Sequence, residues 1–83
     1  MDDRHKRLLY RATHRGTREA DHLVGGFVEA HLNHLDEPTT AALEGLMDES
    51  DVDLVNWIMG RVQPLPERHH DLLSRIIDFK NNK

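Results

Sequence analysis

Cysteine is absent from these 83 residues, which excludes a disulfide framework, a thiolate zinc site and a cysteine nucleophile, and fits a reducing compartment. Aromatic side chains are almost as scarce. Tyr10, Phe27, Trp57 and Phe79 are the whole supply, too thin for a pocket that stacks a flat heteroaromatic ligand. No apolar run is long enough to span a bilayer, and Met1-Asp2-Asp3-Arg4 carries no apolar signal-peptide core. The expectation is a soluble cytoplasmic protein with no membrane insertion, or a mitochondrial matrix protein if a transit peptide has been removed. Glycine is too scattered for a phosphate-cradling G-x-G-x-x-G or G-x-x-x-x-G-K loop. Alternating apolar and polar residues never persist long enough to argue for a strand.

What is present is short and charged. A chain of this length reads as one domain, residues 1–83, with a thin core and little stability in reserve for a deep preorganised active site. A binding module is therefore expected, and not an enzyme. Net charge is −4, but it is segregated. Arg4, Lys6, Arg7, Arg11, Arg15 and Arg18 form a basic head without an acid, whereas Glu19 to Asp53 holds ten acids and no lysine or arginine. Such a dipolar surface steers toward a partner of mixed charge.

Periodicity predicts an all-α fold, a small five-helix bundle. The first helix, about Arg4 to His14, carries Leu8, Leu9 and Ala12 as a stripe, and Gly16 stands where a left-handed C-terminal residue is wanted. The second, from about Thr17 as N-cap to His34, has Leu23, Val24, Phe27, Val28, His31 and Leu35 at helical spacing. Gly25 and Gly26 lie inside it at a propensity cost of about 1 kcal/mol each, which implies close helix packing. A third begins near Asp36 with Pro38 in its first turn and Ala42, Leu43, Leu46 and Met47 inward. A fourth is expected to use Asp51 as N-cap, turn Leu54, Val55, Ile58 and Met59 inward and end near Gly60. Pro64-Leu65-Pro66 is a stiff connector. Pro66 suits the first position of a last helix that buries Leu72, Leu73, Ile76 and Ile77, with Asn81-Asn82-Lys83 fraying behind it. Trp57 is expected in the core.

Seven histidines suggest a metal, yet His31 with His34, or His69 with His70, supplies only half a tetrahedral site, and no H-E-x-x-H is present. No metal site and no catalytic carboxylate pair is assigned. The basic first helix, with Tyr10 among its arginines, is compatible with a small regulatory module that binds nucleic acid, but the chain's pI of 5.9 argues against it.

The most specific pattern is Arg15-Gly16-Thr17-Arg18-Glu19, at the junction of the first two helices. Arg15, Gly16 and Glu19 reproduce the R-G-x-x-E motif of the SdhE family, which includes the mitochondrial succinate dehydrogenase assembly factor. The wider context is similar too. Arg7-Leu8-Leu9-Tyr10 looks like the family's R-L-x-Y, Glu19-Ala20-Asp21 like its E-x-D, and Asp51-Val52-Asp53-Leu54 with Trp57 like its D-x-D-L-x-x-W. The resemblance implies an assembly factor that binds the flavoprotein subunit of succinate dehydrogenase, with fumarate reductase a further client, and promotes covalent FAD attachment there. It implies no cofactor held stably by the factor itself. It also implies a partner-binding surface of Arg15, Gly16, Glu19, Arg7, Tyr10, Arg11 and Asp21. Arg15 and Glu19 lie one turn apart and are expected on one ridge, with Arg15 offering its donors to a partner's carboxylate or carbonyl. Direct flavin carriage is a third reading, disfavoured by the few aromatics.

Overall fold

A computed structural model describes residues 3–82; Met1, Asp2 and Lys83, with the start of the N-terminus and the end of the expected frayed tail, lie outside the described residues. Helix α1 is Asp3–Thr13 and packs its ridge of Leu8 and Ala12 into the core, with Leu9 half-buried beside them. Helix α2 spans residues 18–31 and contains a π-helical turn, Asp21–Gly25, between α-helical Arg18–Ala20 and Gly26–His31. Thr17 caps it: its Oγ1 accepts from the Ala20 N–H at 3.2 Å. A short 3-10 turn, Leu32–His34, closes α2. Helix α3 is Glu37–Leu46, capped by Asp36, whose carboxylate accepts from the Thr39 N–H at 2.9 Å. Helix α4 is Asp51–Ile58, and α5 is His70–Asn81, preceded by a 3-10 turn at Glu67–His69.

Why these helices assemble is a matter of one shared apolar centre. Leu8, Ala12, Ala20, Val24, Phe27, Val28, Leu43, Leu46, Leu54, Ile58, Leu73 and Ile76 form one contiguous cluster to which all five helices contribute. Each large member contributes about 1.5–3 kcal/mol by leaving water. Helix α1 crosses α2 and α3, while α5 packs against α2, α3 and α4. Helices α1 and α2 approach closely at Gly25. A Cβ there would lie 2.9 Å from both the Ala12 carbonyl oxygen and Thr13 Cγ2, so the expected close packing does account for this glycine.

Several local expectations change. The left-handed residue is Gly60, with φ 74°, one position past the α4 C-cap Met59; Gly16 does not adopt positive φ, because the chain leaves α1 through a bend and has no C-terminal cap turn there. Ser50, not Asp51, caps α4, its hydroxyl accepting from the Asp53 N–H. Ala42 faces solvent, since the inward face of α3 runs through Thr40, Leu43, Leu46 and Met47, and an alanine contributes too little apolar surface to set a helix's rotation. Met59 is 40% exposed because it sits at the helix end. Pro66 precedes the 3-10 turn and does not begin α5. Trp57 is half-buried against the edge of the core beside His69, and Ile77 is likewise half-buried.

The basic head proves to be tied to the acidic body. Arg4 forks onto Glu44 at 2.7 and 2.9 Å and reaches Glu37 at 2.6 Å; Arg11 pairs with Asp48 at 2.8 Å. The Arg4 guanidinium holds the Glu44 carboxyl below the usual range. Arg68 and then His69 do the same for Glu49, and the Thr39 hydroxyl and then the Thr39 N–H do it for Asp36. Each of these carboxyls binds fewer protons folded than unfolded. Their stabilisation is therefore complete above the ordinary glutamate value of 4.5 and is lost as pH falls through the lowered values. Urea midpoints should hold level between about pH 6 and about pH 4.5 and fall below that toward about pH 3.

Two glycines in helices should respond oppositely to alanine. Gly25→Ala should destabilise by about 1–3 kcal/mol through overpacking against the α1 backbone. Gly45→Ala, with nothing within 4 Å of the added carbon, should stabilise by about 0.5–1 kcal/mol. Urea unfolding of the two variants beside the wild type checks the sign of each.

Candidate functional site

The motif at the α1–α2 junction is a clasp onto another junction, between α3 and α4. The Arg15 side chain is only 11% exposed and spends its whole guanidinium on the loop of residues 47–51. Its Nε donates to Asp51 Oδ1 at 2.7 Å, Nη1 to the Met47 carbonyl at 2.8 Å and Nη2 to the Glu49 carbonyl at 2.6 Å. The three acceptors are met by three separate nitrogens of one planar fork, a spread that the single nitrogen of an ammonium does not reproduce. The placement is electrostatically apt. Met47 is the C-cap of α3, where carbonyls lack partners and a cation is favoured; Asp51 begins α4, where an anion is favoured.

Gly16 continues the clasp. Its N–H donates to Asp51 Oδ2 at 2.6 Å, so that one carboxylate receives both halves of the Arg15-Gly16 pair. A Cβ on Gly16 would stand 2.8 Å from that same oxygen. The glycine is thus required by close approach of a carboxylate and not by backbone conformation. Because Ser50 supplies the cap, the Asp51 carboxylate is left to reach across to the other junction. Asp21, half-buried in α2, accepts the Arg15 backbone N–H in a short hydrogen bond that fixes the bend between the first two helices.

The expected binding residues are therefore divided. Arg15 and Glu19 do not share a ridge: Arg15 turns inward, whereas Glu19 stays exposed in the first turn of α2, 3.9 Å from Arg61 across an open surface. Gly16, Tyr10, Arg11 and Arg15 do come together. With His14 and Asp51 they line a shallow cleft of about 300 Å³. Tyr10 is 63% exposed and stacked on His14, with ring centroids 4.0 Å apart. Glu19 borders a second cleft of about 230 Å³ that shares Asp51 and includes Val52 and Arg61. Arg7 is exposed on α1 outside both clefts, and Asp21 serves the bend from behind.

Sequence reasoning did not find the acceptors, Met47, Glu49 and Asp51. An acid in a helix's first turn was visible, but two of the three acceptors are backbone carbonyls, which leave no residue signature. Among the described residues no three His, Asp or Glu side chains converge as metal ligands, and no helix is long and apolar enough to cross a membrane.

Known proteins align with most of this chain. Residues 6–80 match the family described as "Flavinator of succinate dehydrogenase". A protein of Acetobacter pasteurianus named FAD assembly factor SdhE is 40% identical over 90% of this chain and 69% of its own length. The mitochondrial succinate dehydrogenase assembly factor 2 proteins of Candida glabrata and Saccharomyces cerevisiae are 31% and 30% identical over the whole chain. This chain spans only 57% and 54% of those yeast proteins.

Removing the clasp's donor should be costly even though it lies at the rim of the fold. Arg15→Ala strands two carbonyls and a carboxylate that is only 20% exposed, and should destabilise by about 2–4 kcal/mol in urea unfolding. Arg15→Lys should recover less than half of that loss, since one ammonium cannot satisfy all three acceptors.

Proposed function

The chain belongs to the succinate dehydrogenase flavinator family, and from that premise we propose that it binds the flavoprotein subunit of succinate dehydrogenase and promotes covalent attachment of FAD to it. The names of its relatives support this reading directly, and the chain's clasped edge supplies the physical means. In the proposed mechanism the factor is not an enzyme. The flavin and the residue it bonds to are the partner's, and this chain contributes a rigid surface that holds the immature subunit in a conformation favouring attachment. Phe27 and Phe79 are packed edge-to-face on each other and Trp57 is half-buried beside His69, which supports leaving the flavin in the partner's site.

The observation that carries the proposed contact surface is the exposure of Gly16 while its N–H is locked to Asp51. A backbone edge without a side chain, held still, lets another protein approach closely at small cost in ordering. Tyr10 and Arg11 flank it on one side, Glu19 on the other, offering an amphipathic ring and both signs of charge. Arg15 and Asp21 serve this surface from beneath by fixing its shape, and Arg7 extends it along α1. Fumarate reductase flavoprotein is a further proposed client. The bacterial and mitochondrial relatives support the bacterial cytoplasm or the mitochondrial matrix as the compartment. The nucleic-acid reading loses ground, because Arg4 and Arg15 are bonded to groups of this chain.

In-gel flavin fluorescence of the denatured flavoprotein, from cells lacking this gene, provides the test. Covalent flavin should fall without the gene, return with the wild type and fail to return with Gly16→Arg, whose side chain would collide with Asp51 and cover the edge. Tyr10→Ala and Glu19→Ala, both at exposed sites, should lower attachment severalfold while shifting Tm by less than about 3 °C. Unchanged flavin in the deletion strain would overturn the proposal.

A further inference from the structure

Glu49 is used twice. Its backbone carbonyl accepts Arg15 Nη2 at 2.6 Å, and its side-chain Oε2 accepts from both Arg68 Nη2 and His69 Nε2 at 2.7 Å. We propose that Glu49 is a positioning residue for partner binding: it ties the loop that Arg15 grips to the turn before α5, and thereby sets the position of the Gly16 edge. This inference rests on the function proposed above.

The loop of residues 47–51 is tied to α3 by the Asp48 and Glu49 N–H groups, which donate to the Gly45 and Leu46 carbonyls, but it has few side-chain anchors toward the rest of the fold. Asp48 points outward to Arg11, an exposed pair that adds little. Ser50 faces the α4 backbone as its cap. Met47 packs into the core, and Asp51 belongs to the clasp itself. That leaves the Glu49 carboxylate as the side-chain tie between the middle of the loop and the turn before α5. It is well placed for this. Glu49 is 19% exposed and His69 only 10%, so their contact is largely shielded from water, and the His69 ring lies beside Trp57 at 6.3 Å. Arg68, which is exposed, and His69 hold the Glu49 carboxyl below its usual range.

The consequence is a relay of rigid connections. The connector before α5 fixes Glu49, Glu49 fixes the loop carbonyls, and these with Asp51 fix Arg15 and Gly16. Losing the carboxylate lets the loop shift by the fraction of an ångström that breaks the three-way fit of the guanidinium, although the apolar core is untouched. The Arg4 pair with Glu44 offers a control of similar chemistry at the opposite end of α1, with no link to the clasp.

The test compares Glu49→Ala, Glu49→Gln and Glu44→Ala in the full chain by two readouts: solvent-exchange protection of the Arg15 Nε–H by NMR, and affinity for the apo flavoprotein subunit of succinate dehydrogenase. Glu49→Ala should lose at least about tenfold in protection and about five- to tenfold in affinity. Glu49→Gln, which keeps an acceptor oxygen, should retain most of both, and Glu44→Ala should alter neither while lowering Tm as much as Glu49→Ala does. Unchanged protection or unchanged affinity in Glu49→Ala overturns the inference, as does an equal loss in Glu44→Ala. If the wild type fails to bind the flavoprotein at all, it is the proposed function that falls, and the Arg15 Nε–H readout still reports whether Glu49 positions the clasp.

Discussion

The three-way hydrogen bonding of the Arg15 guanidinium to residues 47–51 is the constraint on which the rest of the polar architecture depends. It joins two interhelical junctions that are 36 residues apart in sequence. Each end of the bond is placed where the backbone's own electrostatics favour it, the cation at the carbonyl end of α3 and the anion at the amide end of α4. Loops in a small domain are ordinarily its most mobile parts. Here the loop is a seat for a buried charge, and moving it would leave that charge without partners.

A core of this size cannot by itself hold a surface to a fixed shape, because few apolar contacts lie beneath any given loop. The chain makes up the difference with directional bonds. Asp21 fixes the bend from below, Asp51 receives both Arg15 and Gly16, and Glu49 braces the loop from the side of α5. The result is an exposed backbone edge that loses little freedom when another protein covers it, which suits the proposed assembly role.

The helices and their inward faces were legible because periodicity and capping are local. Leu8 and Ala12, Val24 with Phe27 and Val28, and Leu72 with Leu73 and Ile76 all lie inside as their spacing implied, and the Thr17 cap stands where its residue type placed it. The errors fall where local preference is weak. Ala42 lies outside and Thr40 inside because a helix's rotation is decided by its neighbours, and Asp51 reads as a cap as readily as Ser50 because both residue types suit that position. The π-helical turn had no sequence signal.

By itself the sequence determined an all-helical chain, the approximate position of its breaks and, through Arg15, Gly16 and Glu19 together with the matching segments at Arg7–Tyr10 and Asp51–Trp57, its resemblance to a family. It did not determine what those residues touch. The same Arg15 that reads as an outward ligand for a partner is, in the folded chain, a strut turned inward, and Gly16 is a glycine because a carboxylate 35 residues away comes to rest against it. The physical reason is that motif residues are selected by distance in space. Spacing along a helix reports which side chains share a face, but only the packing of one junction against another decides whether that face meets solvent or the rest of the protein.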